Sequence, residues 1–263
     1  MTNLISQSFN NRNKKLITFV TGGDPDFDTS NEIIKILINN KIDILEIGMP
    51  FSDPMADGPT IQLSSNRALS NGINLEDIFK LSANAKLLNQ NLPIILMGYY
   101  NVILNFGLKK FVSFCVSSGV DGLIIVDLQP EEDSELINEL KKYKIDLVRL
   151  ITPTTDEERL KLILKNASGF LYFVSVTGIT GQKSANIEEL SKSIKFVKNF
   201  TNLPIVPGFG IKSALDVNNM CKISDGAVVG SSIIKIIEEN LNDKKIILKK
   251  INQFSKELRE FAK

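Results

Sequence analysis

Histidine is absent from the 263-residue chain, and so is tryptophan. Without an imidazole, Ser-His-Asp and Cys-His catalysis are excluded, as is a zinc site built on histidines. Any proton transfer falls to Asp, Glu, Lys, Tyr or Cys. Cysteine is scarce too: Cys115 and Cys221 form no CxxC pair and no disulfide framework, a usage that fits a reducing compartment. Both fall in helix-like segments, as ordinary small core residues do. No apolar run reaches the roughly 18 residues of a membrane span, and Met1–Lys15 is too polar to read as a secretory leader. A dominant charge is also lacking. Lys plus Arg number 31 against 30 Asp plus Glu, a net +1, which gives no sign of a nucleic-acid or membrane-surface partner.

What the chain does contain is alternation. Short β-branched runs recur between amphipathic segments: Leu16–Thr21, Ile44–Gly48, Pro93–Tyr99, Asp121–Asp127, Asp146–Thr152, Gly169–Ser175, Pro204–Gly210 and Gly226–Gly230. Several are nearly continuous in apolar residues, as parallel strands covered on both faces are. Helical segments lie between them. Asp26–Asn40 carries Ile33, Ile34, Leu37 and Ile38 at helical spacing, and Asn74 stands as an N-cap before Leu75-Glu76-Asp77. Pro130-Glu131-Glu132, Asp156-Glu157-Glu158 and Asn186-Ile187-Glu188-Glu189 read as further helix starts. Gly119 and Gly169 fall just past helices, where a left-handed residue is commonly needed.

Eight strand-then-helix units, with no domain boundary in view, predict one α/β domain over residues 1–263, a (β/α)8 barrel of the TIM type with extra helices. An open doubly wound sheet is the alternative, because alternation does not show closure. The connection from Gly48 to Pro93 is too long for one helix and predicts an added one over Pro59–Leu69. Residues 1–15 read as an N-terminal helix or arm. Residues 244–263 read as a terminal helix whose apolar stripe is Ile246, Ile247, Ile251, Phe254, Leu258 and Phe261.

Chemistry in such a barrel belongs at the C-terminal strand ends. No strand tip there carries a lysine, which argues against a Schiff-base aldolase. Glu46 interrupts the apolar run Ile42–Ile47, in the period-two set Ile44, Glu46, Gly48. A carboxylate pointing inward from a strand tip would have its pKa raised towards working pH, as a general acid/base requires; a structural Glu paired with Arg or Lys is the bland alternative. Directly after it come Pro50, Pro54 and Pro59 with Asp53 and Asp57, a stiff acidic loop. Gly208-Phe209-Gly210 and Gly230-Ser231-Ser232 end the last two strands, the usual place for a phosphate cradle. Thr177-Gly178-Ile179-Thr180-Gly181 suits a mobile lid or an ordinary loop.

Residues Leu45-Glu46-Ile47-Gly48-Met49-Pro50-Phe51-Ser52-Asp53-Pro54-Met55-Ala56-Asp57-Gly58-Pro59-Thr60-Ile61-Gln62 closely resemble the signature of the tryptophan synthase alpha chain family. Phe19-Val20-Thr21-Gly22-Gly23-Asp24-Pro25, Met97-Gly98-Tyr99-Tyr100-Asn101, Val126-Asp127-Leu128, Ser175–Gly181 and Gly208-Phe209-Gly210-Ile211 agree in order. The resemblance covers nearly the whole chain. It implies retro-aldol cleavage of indole-3-glycerol phosphate to indole and glyceraldehyde 3-phosphate, without metal or organic cofactor in this chain. It places the catalytic acids on Glu46 and Asp57, and the indole pocket on Phe19, Tyr99, Tyr172 and Phe209, with Thr180 on the lid. The phosphate site falls on Gly181, Gly210, Gly230 and Ser231. A beta chain carrying pyridoxal phosphate is the implied partner, in an alpha2-beta2 heterotetramer, with Asp53 and Asn101 near the contact. That partner would condense the indole with L-serine in the last step of tryptophan biosynthesis. Val102 and Gln129 stand where the family usually has proline. Competing readings are a phosphosugar isomerase or epimerase, a silent activating subunit and a stand-alone indole-releasing lyase. The Asn, Ile and Lys bias points to an AT-rich bacterial or plastid genome, hence cytoplasm or plastid stroma.

Overall fold

The β-branched runs pair side by side as parallel strands. In the computed structural model, residues 3–11, 13–174, 183–208 and 210–262 are described, with the backbone alone for 183–186. Among them eight strands follow in chain order. They are β1 (Lys15–Thr21), β2 (Ile44–Gly48), β3 (Ile94–Gly98), β4 (Gly122–Ile125), β5 (Asp146–Leu147, continued after Val148 by Arg149–Ile151), β6 (Leu171–Val174), β7 (Ile205–Gly208) and β8 (Gly226–Val229). Pairing runs β8-β1-β2-β3-β4-β5 and β5-β6-β7. The two halves of β5 are spliced at Val148, whose N–H donates to Leu123 O at 2.9 Å. The β7–β8 seam is joined just before β8, where Asp225 N–H donates to Ile205 O (3.0 Å) and its carboxylate accepts from Ile205 N–H (2.8 Å). The sheet therefore closes into a (β/α)8 barrel, and the open-sheet alternative falls.

Strand alternation splits the core in two. Ile17, Ile44, Ile95, Ile124, Tyr172, Val206 and Val228 pack together inside the barrel, while Leu16, Leu45, Ile47, Ile94 and Leu96 pack outward against the helices. Because side chains two apart share a face, Glu46 projects inward with Ile44. Register confirms its level: Glu46 lies beside Phe19 of β1 and Ile95 of β3. The N-terminal helix Leu4–Ser8 stoppers the opposite end with Ile5, which is fully buried in the interior cluster. A Cβ on Gly122 would fall 2.6 Å from Ile5 Cδ1, so a side chain at the start of β4 would displace Ile5.

Two helices fill the long β2–β3 connection, Pro59–Ser70 and Leu75–Leu88. The second is closed by a capping box in which Asn74 accepts from the Glu76 and Asp77 N–H groups and Asp77 accepts from Asn74 N–H. Gly119 and Gly169 adopt φ of 75° and 74°, as the turn positions demanded. The C-terminal helix Lys244–Phe261 buries Ile247, Ile251 and Leu258. Ile246 and Phe261 lie at the edge of that stripe and are exposed.

Three expectations are corrected. Pro130–Glu132 does not open a helix: the Glu132 N–H turns back to Gln129 O at 3.1 Å, and the helix starts instead at Ser134 after Asp133, whose carboxylate is taken by the Arg149 guanidinium and by Asn166 Nδ2 (3.1 Å). The helix Lys183–Lys198 begins before Asn186. A short helix, Tyr100–Phe106, follows β3 where the sequence showed only a strand tip.

Truncating the stopper, Ile5→Ala, is expected to cost about 2–5 kcal/mol, whereas Leu87→Ala, at a side chain 82% exposed, should stay within about 0.5 kcal/mol. Urea unfolding of both variants checks the contrast.

Candidate active site

Glu46 is 0% exposed, and neither carboxyl oxygen has a hydrogen-bond partner among the described residues. Desolvation with nothing to offset it raises its pKa to about 8. At neutral pH the group is therefore a neutral acid poised to give up a proton. Two other acids of this barrel are differently placed. Asp24 is held bidentately by Arg67 at 2.7 and 2.9 Å, and Asp121 pairs with Lys86 at 2.7 Å.

Asp57 closes the acidic loop just before the helix Pro59–Ser70, whose first residue is proline. The Tyr99 hydroxyl, from the end of β3, donates to Asp57 Oδ2 at 2.9 Å and accepts from Ala56 N–H at 3.0 Å. Burial pushes the Asp57 carboxyl up, and the Tyr99 hydrogen bond opposes that rise. Tyr172, from β6, is buried between the influence of both acids. Desolvation first, then the charges of Glu46 and Asp57, hold its phenol un-ionised. The two carboxyls that the sequence singled out thus act on one tyrosine inside one barrel mouth.

An apolar cavity of about 490 Å³ opens here, lined by Phe19, Asp57, Ile61, Met97, Tyr172, Gly210, Ile211, Val228, Gly230 and Ser231. A smaller one of about 290 Å³ adjoins it through Phe19, Asp57, Ile61 and Met97, and reaches Tyr99. At the far end of the larger cavity, Gly230 is the N-cap of the helix Ser231–Glu238, so unsatisfied N–H groups and the positive end of the helix dipole point towards the mouth. A side chain at 230 would meet Phe19 Cβ at 3.1 Å, and Gly210 has φ of 74°. Ser232 is spent on the fold, donating to Ile211 O at 2.8 Å; Ser231 is the serine that lines the cavity.

Of the residues expected here, Phe19, Asp57, Tyr172, Gly210, Gly230 and Ser231 converge on the larger cavity and Tyr99 on the smaller. Glu46 is enclosed beside them and lines neither. Thr180, Gly181 and Phe209 lie outside the described residues. Asp53 and Asn101 are exposed away from the cavity, and Asn101 lines a separate groove with Pro50, Phe51 and Val102. Sequence reasoning missed Ile61, Met97, Ile211 and Val228. Met97 and Val228 carried a signal, since both fall on inward positions of their strands; Ile61 is delivered by a helix and carried none.

A closed (β/α)8 barrel with a protonated buried acid, a second carboxyl and an apolar cavity ending at a helix N-terminus has the layout of an acid–base enzyme for a phosphorylated, ring-bearing substrate. Comparison with known proteins narrows that class. The tryptophan synthase alpha chain family model matches residues 5–263. The tryptophan synthase alpha chain of Petrotoga mobilis is 46% identical over 255 residues, 97% of this chain and 98% of that one. That of Geotalea uraniireducens is 43% identical over 230 residues, covering 88% and 86%. The crystal structure of tryptophan synthase subunit alpha from Legionella pneumophila superposes with a TM-score of 0.92 at 33% identity, over 100% of this chain and 99% of that one. The chain belongs to the tryptophan synthase alpha chain family. It is a carbon–carbon lyase that splits indole-3-glycerol phosphate into indole and glyceraldehyde 3-phosphate.

Glu46 also leaves a signature in stability. Its folded pKa of about 8 lies well above the ordinary carboxyl value of 4.5, so its burial carries no ionisation cost below about pH 4.5, and that cost builds as pH rises through 8. Melting temperature should fall between pH 5.5 and 9, and Glu46→Gln should remove a distinct part of that fall. An unchanged pH profile in the variant would contradict the burial of an unpaired acid.

Proposed function

We propose that Glu46 carries both proton transfers of the cleavage and that Asp57 holds the indole nitrogen. The observation behind this is the fully enclosed Glu46 carboxyl, partnerless among the described residues, with its pKa near neutrality. In this reading the Glu46 carboxyl gives its proton to indole C3, and the positive charge spreads to the ring nitrogen, whose N–H bonds to Asp57. The carboxylate left on Glu46 then takes the proton of the side-chain hydroxyl next to the scissile bond. As that carbon becomes a carbonyl, the carbon–carbon bond breaks and its electron pair neutralises the ring. Indole and glyceraldehyde 3-phosphate result, and Glu46 ends protonated as it began.

Phe19, Tyr99, Tyr172 and Phe209 enclose the indole in this account, with Thr180 on the lid. Gly181, Gly210, Gly230 and Ser231 receive the phosphate, a role supported by the helix N-terminus at Gly230. The chain works with a beta chain that holds pyridoxal phosphate and consumes the indole, in an alpha2-beta2 assembly. Exposed Asp53 and Asn101, the 83% exposed Met55 and the groove at Pro50–Phe51 support that face as the contact. Residues 1–263 act as one domain, in the cytoplasm or, for a plastid-encoded chain, the stroma; no helix among the described residues is long and apolar enough to cross a membrane.

Glu46→Gln should lower indole release at least about 100-fold, the low end of general acid–base contributions, while phosphate-ligand affinity stays within about twofold. A near-normal rate would remove Glu46 from the chemistry. Ser231→Asp, which sets a negative charge at the helix N-terminus, should raise KM about tenfold or more; an unchanged KM would place the phosphate elsewhere. Adding a beta chain should accelerate indole release several-fold, and no acceleration would argue for stand-alone action.

A further inference from the structure

Asp127, two residues past the end of β4, has no part in the chemistry assigned so far, yet its carboxylate is committed. Its Oδ1 accepts the Tyr100 N–H at 2.8 Å across a separation of 27 residues. Tyr100 opens the helix Tyr100–Phe106, and Tyr99, the residue at the N-cap, makes no capping bond with its own side chain. A first-turn N–H without a local cap needs an acceptor from elsewhere, and Asp127 supplies it from the neighbouring strand. The β3–β4 ladder continues to the same place, with Val126 N–H donating to Gly98 O at 3.0 Å.

That bond fixes the backbone from which the Tyr99 side chain departs. Tyr99 is 2% exposed, its ring packs on Phe51 with centroids 5.2 Å apart, and its hydroxyl makes both bonds to the acidic loop, at Ala56 N–H and Asp57 Oδ2. Among the described residues the loop itself is short of other ties. Asp57 N–H reaches Pro54 O at 3.0 Å and its carbonyl takes Gln62 Nε2 at 2.8 Å, both within the loop and its helix. Tyr99 is thus the tie from the barrel to the Asp57 carboxyl, and Asp127 holds the tie.

We propose that Asp127 is a positioning residue for Asp57, acting through Tyr99: an Asp127–Tyr100 N–H bond sets Tyr99, and the Tyr99 hydroxyl sets the second carboxyl of the reaction. This rests on the role assigned to Asp57. Geometry of this kind matters to rate more than to binding, because Asp57 meets the ring charge only as it develops, and a small misplacement costs turnover.

The test is steady-state indole release by the full chain carrying Asp127→Ala, Asp127→Asn, Tyr99→Phe, the Asp127→Ala/Tyr99→Phe pair and Asp57→Asn. Losing one such hydrogen bond should lower kcat about tenfold in Asp127→Ala, with KM within about twofold. Asp127→Asn keeps an acceptor oxygen and should restore most of the rate. The double variant should be no worse than Tyr99→Phe alone, since both losses pass through one side chain. Asp127→Ser, too short to reach Tyr100, repeats the alanine reading should alanine fail to fold. Full kcat in Asp127→Ala, an asparagine variant as poor as alanine, or losses that multiply in the pair would overturn the proposal. An active Asp57→Asn would overturn the role of Asp57 itself, and with it this inference; an inactive Asp57→Asn beside an unaffected Asp127→Ala would overturn the positioning role alone.

Discussion

Glu46 is a carboxylic acid enclosed by apolar side chains, with no hydrogen bond to either oxygen among the described residues. Ionised there it would cost several kcal/mol, so the folded chain keeps it protonated until about pH 8. The barrel tolerates this because everything around Glu46 is settled without it. Ile44 below it lies beside Ile17 in the packed interior cluster, and Ile5 seals the far end. Three other acids are neutralised locally, Asp24 by Arg67, Asp121 by Lys86 and Asp133 by Arg149, whereas buried Asp146, raised by desolvation to about 6, has no cation partner among the described residues. A proton held at an inward strand position, with no competing partner, is what a chemistry without histidine requires.

Around that acid the site is built from two kinds of support. Strands deliver Phe19, Glu46, Met97, Tyr172 and Val228 at fixed register, so the floor moves only if the sheet does. The acidic loop is not part of the sheet and is tied by side chains instead. Tyr99 holds Ala56 and Asp57. The helix that follows the loop is anchored to β1 and its turn by the Thr21–Ser64 hydroxyl pair at 2.6 Å and by the Arg67–Asp24 bridge. One acid is therefore set by the sheet and the other by hydrogen bonds that could be altered singly. The same loop carries exposed Asp53 and Met55 on its outer side.

Much of this was legible in the residues. The period-two set Ile44, Glu46, Gly48 placed the acid on one face, lack of histidine left carboxyls and a few other groups to move protons, and glycines after the last two strands pointed to the helix N-terminus at Gly230. Closure of the barrel was not legible, because it needs the last strand to pair with the first, Lys15 opposite Gly226 and Leu16 opposite Ala227, segments far apart in sequence. The helix Tyr100–Phe106 escaped for a related reason: its cap comes from Asp127 rather than from a neighbour, so no local signal marks its start. Pro130–Glu132 misled in the opposite sense. Acids after proline look like a first turn, but Gln129–Glu132 closes as a tight turn of its own, and the helix waits until Ser134. Ile61 joins the cavity through helix placement, which strand alternation does not encode.

The central claim is the protonation state of one carboxyl, and infrared difference spectroscopy reads it directly. Subtracting the Glu46→Gln spectrum from that of the unsubstituted chain should leave a carbonyl stretch of a neutral, non-hydrogen-bonded acid at pH 7, fading with a midpoint near pH 8. A carboxylate band at pH 7 in its place, or a midpoint in the ordinary range near 4.5, would contradict the account.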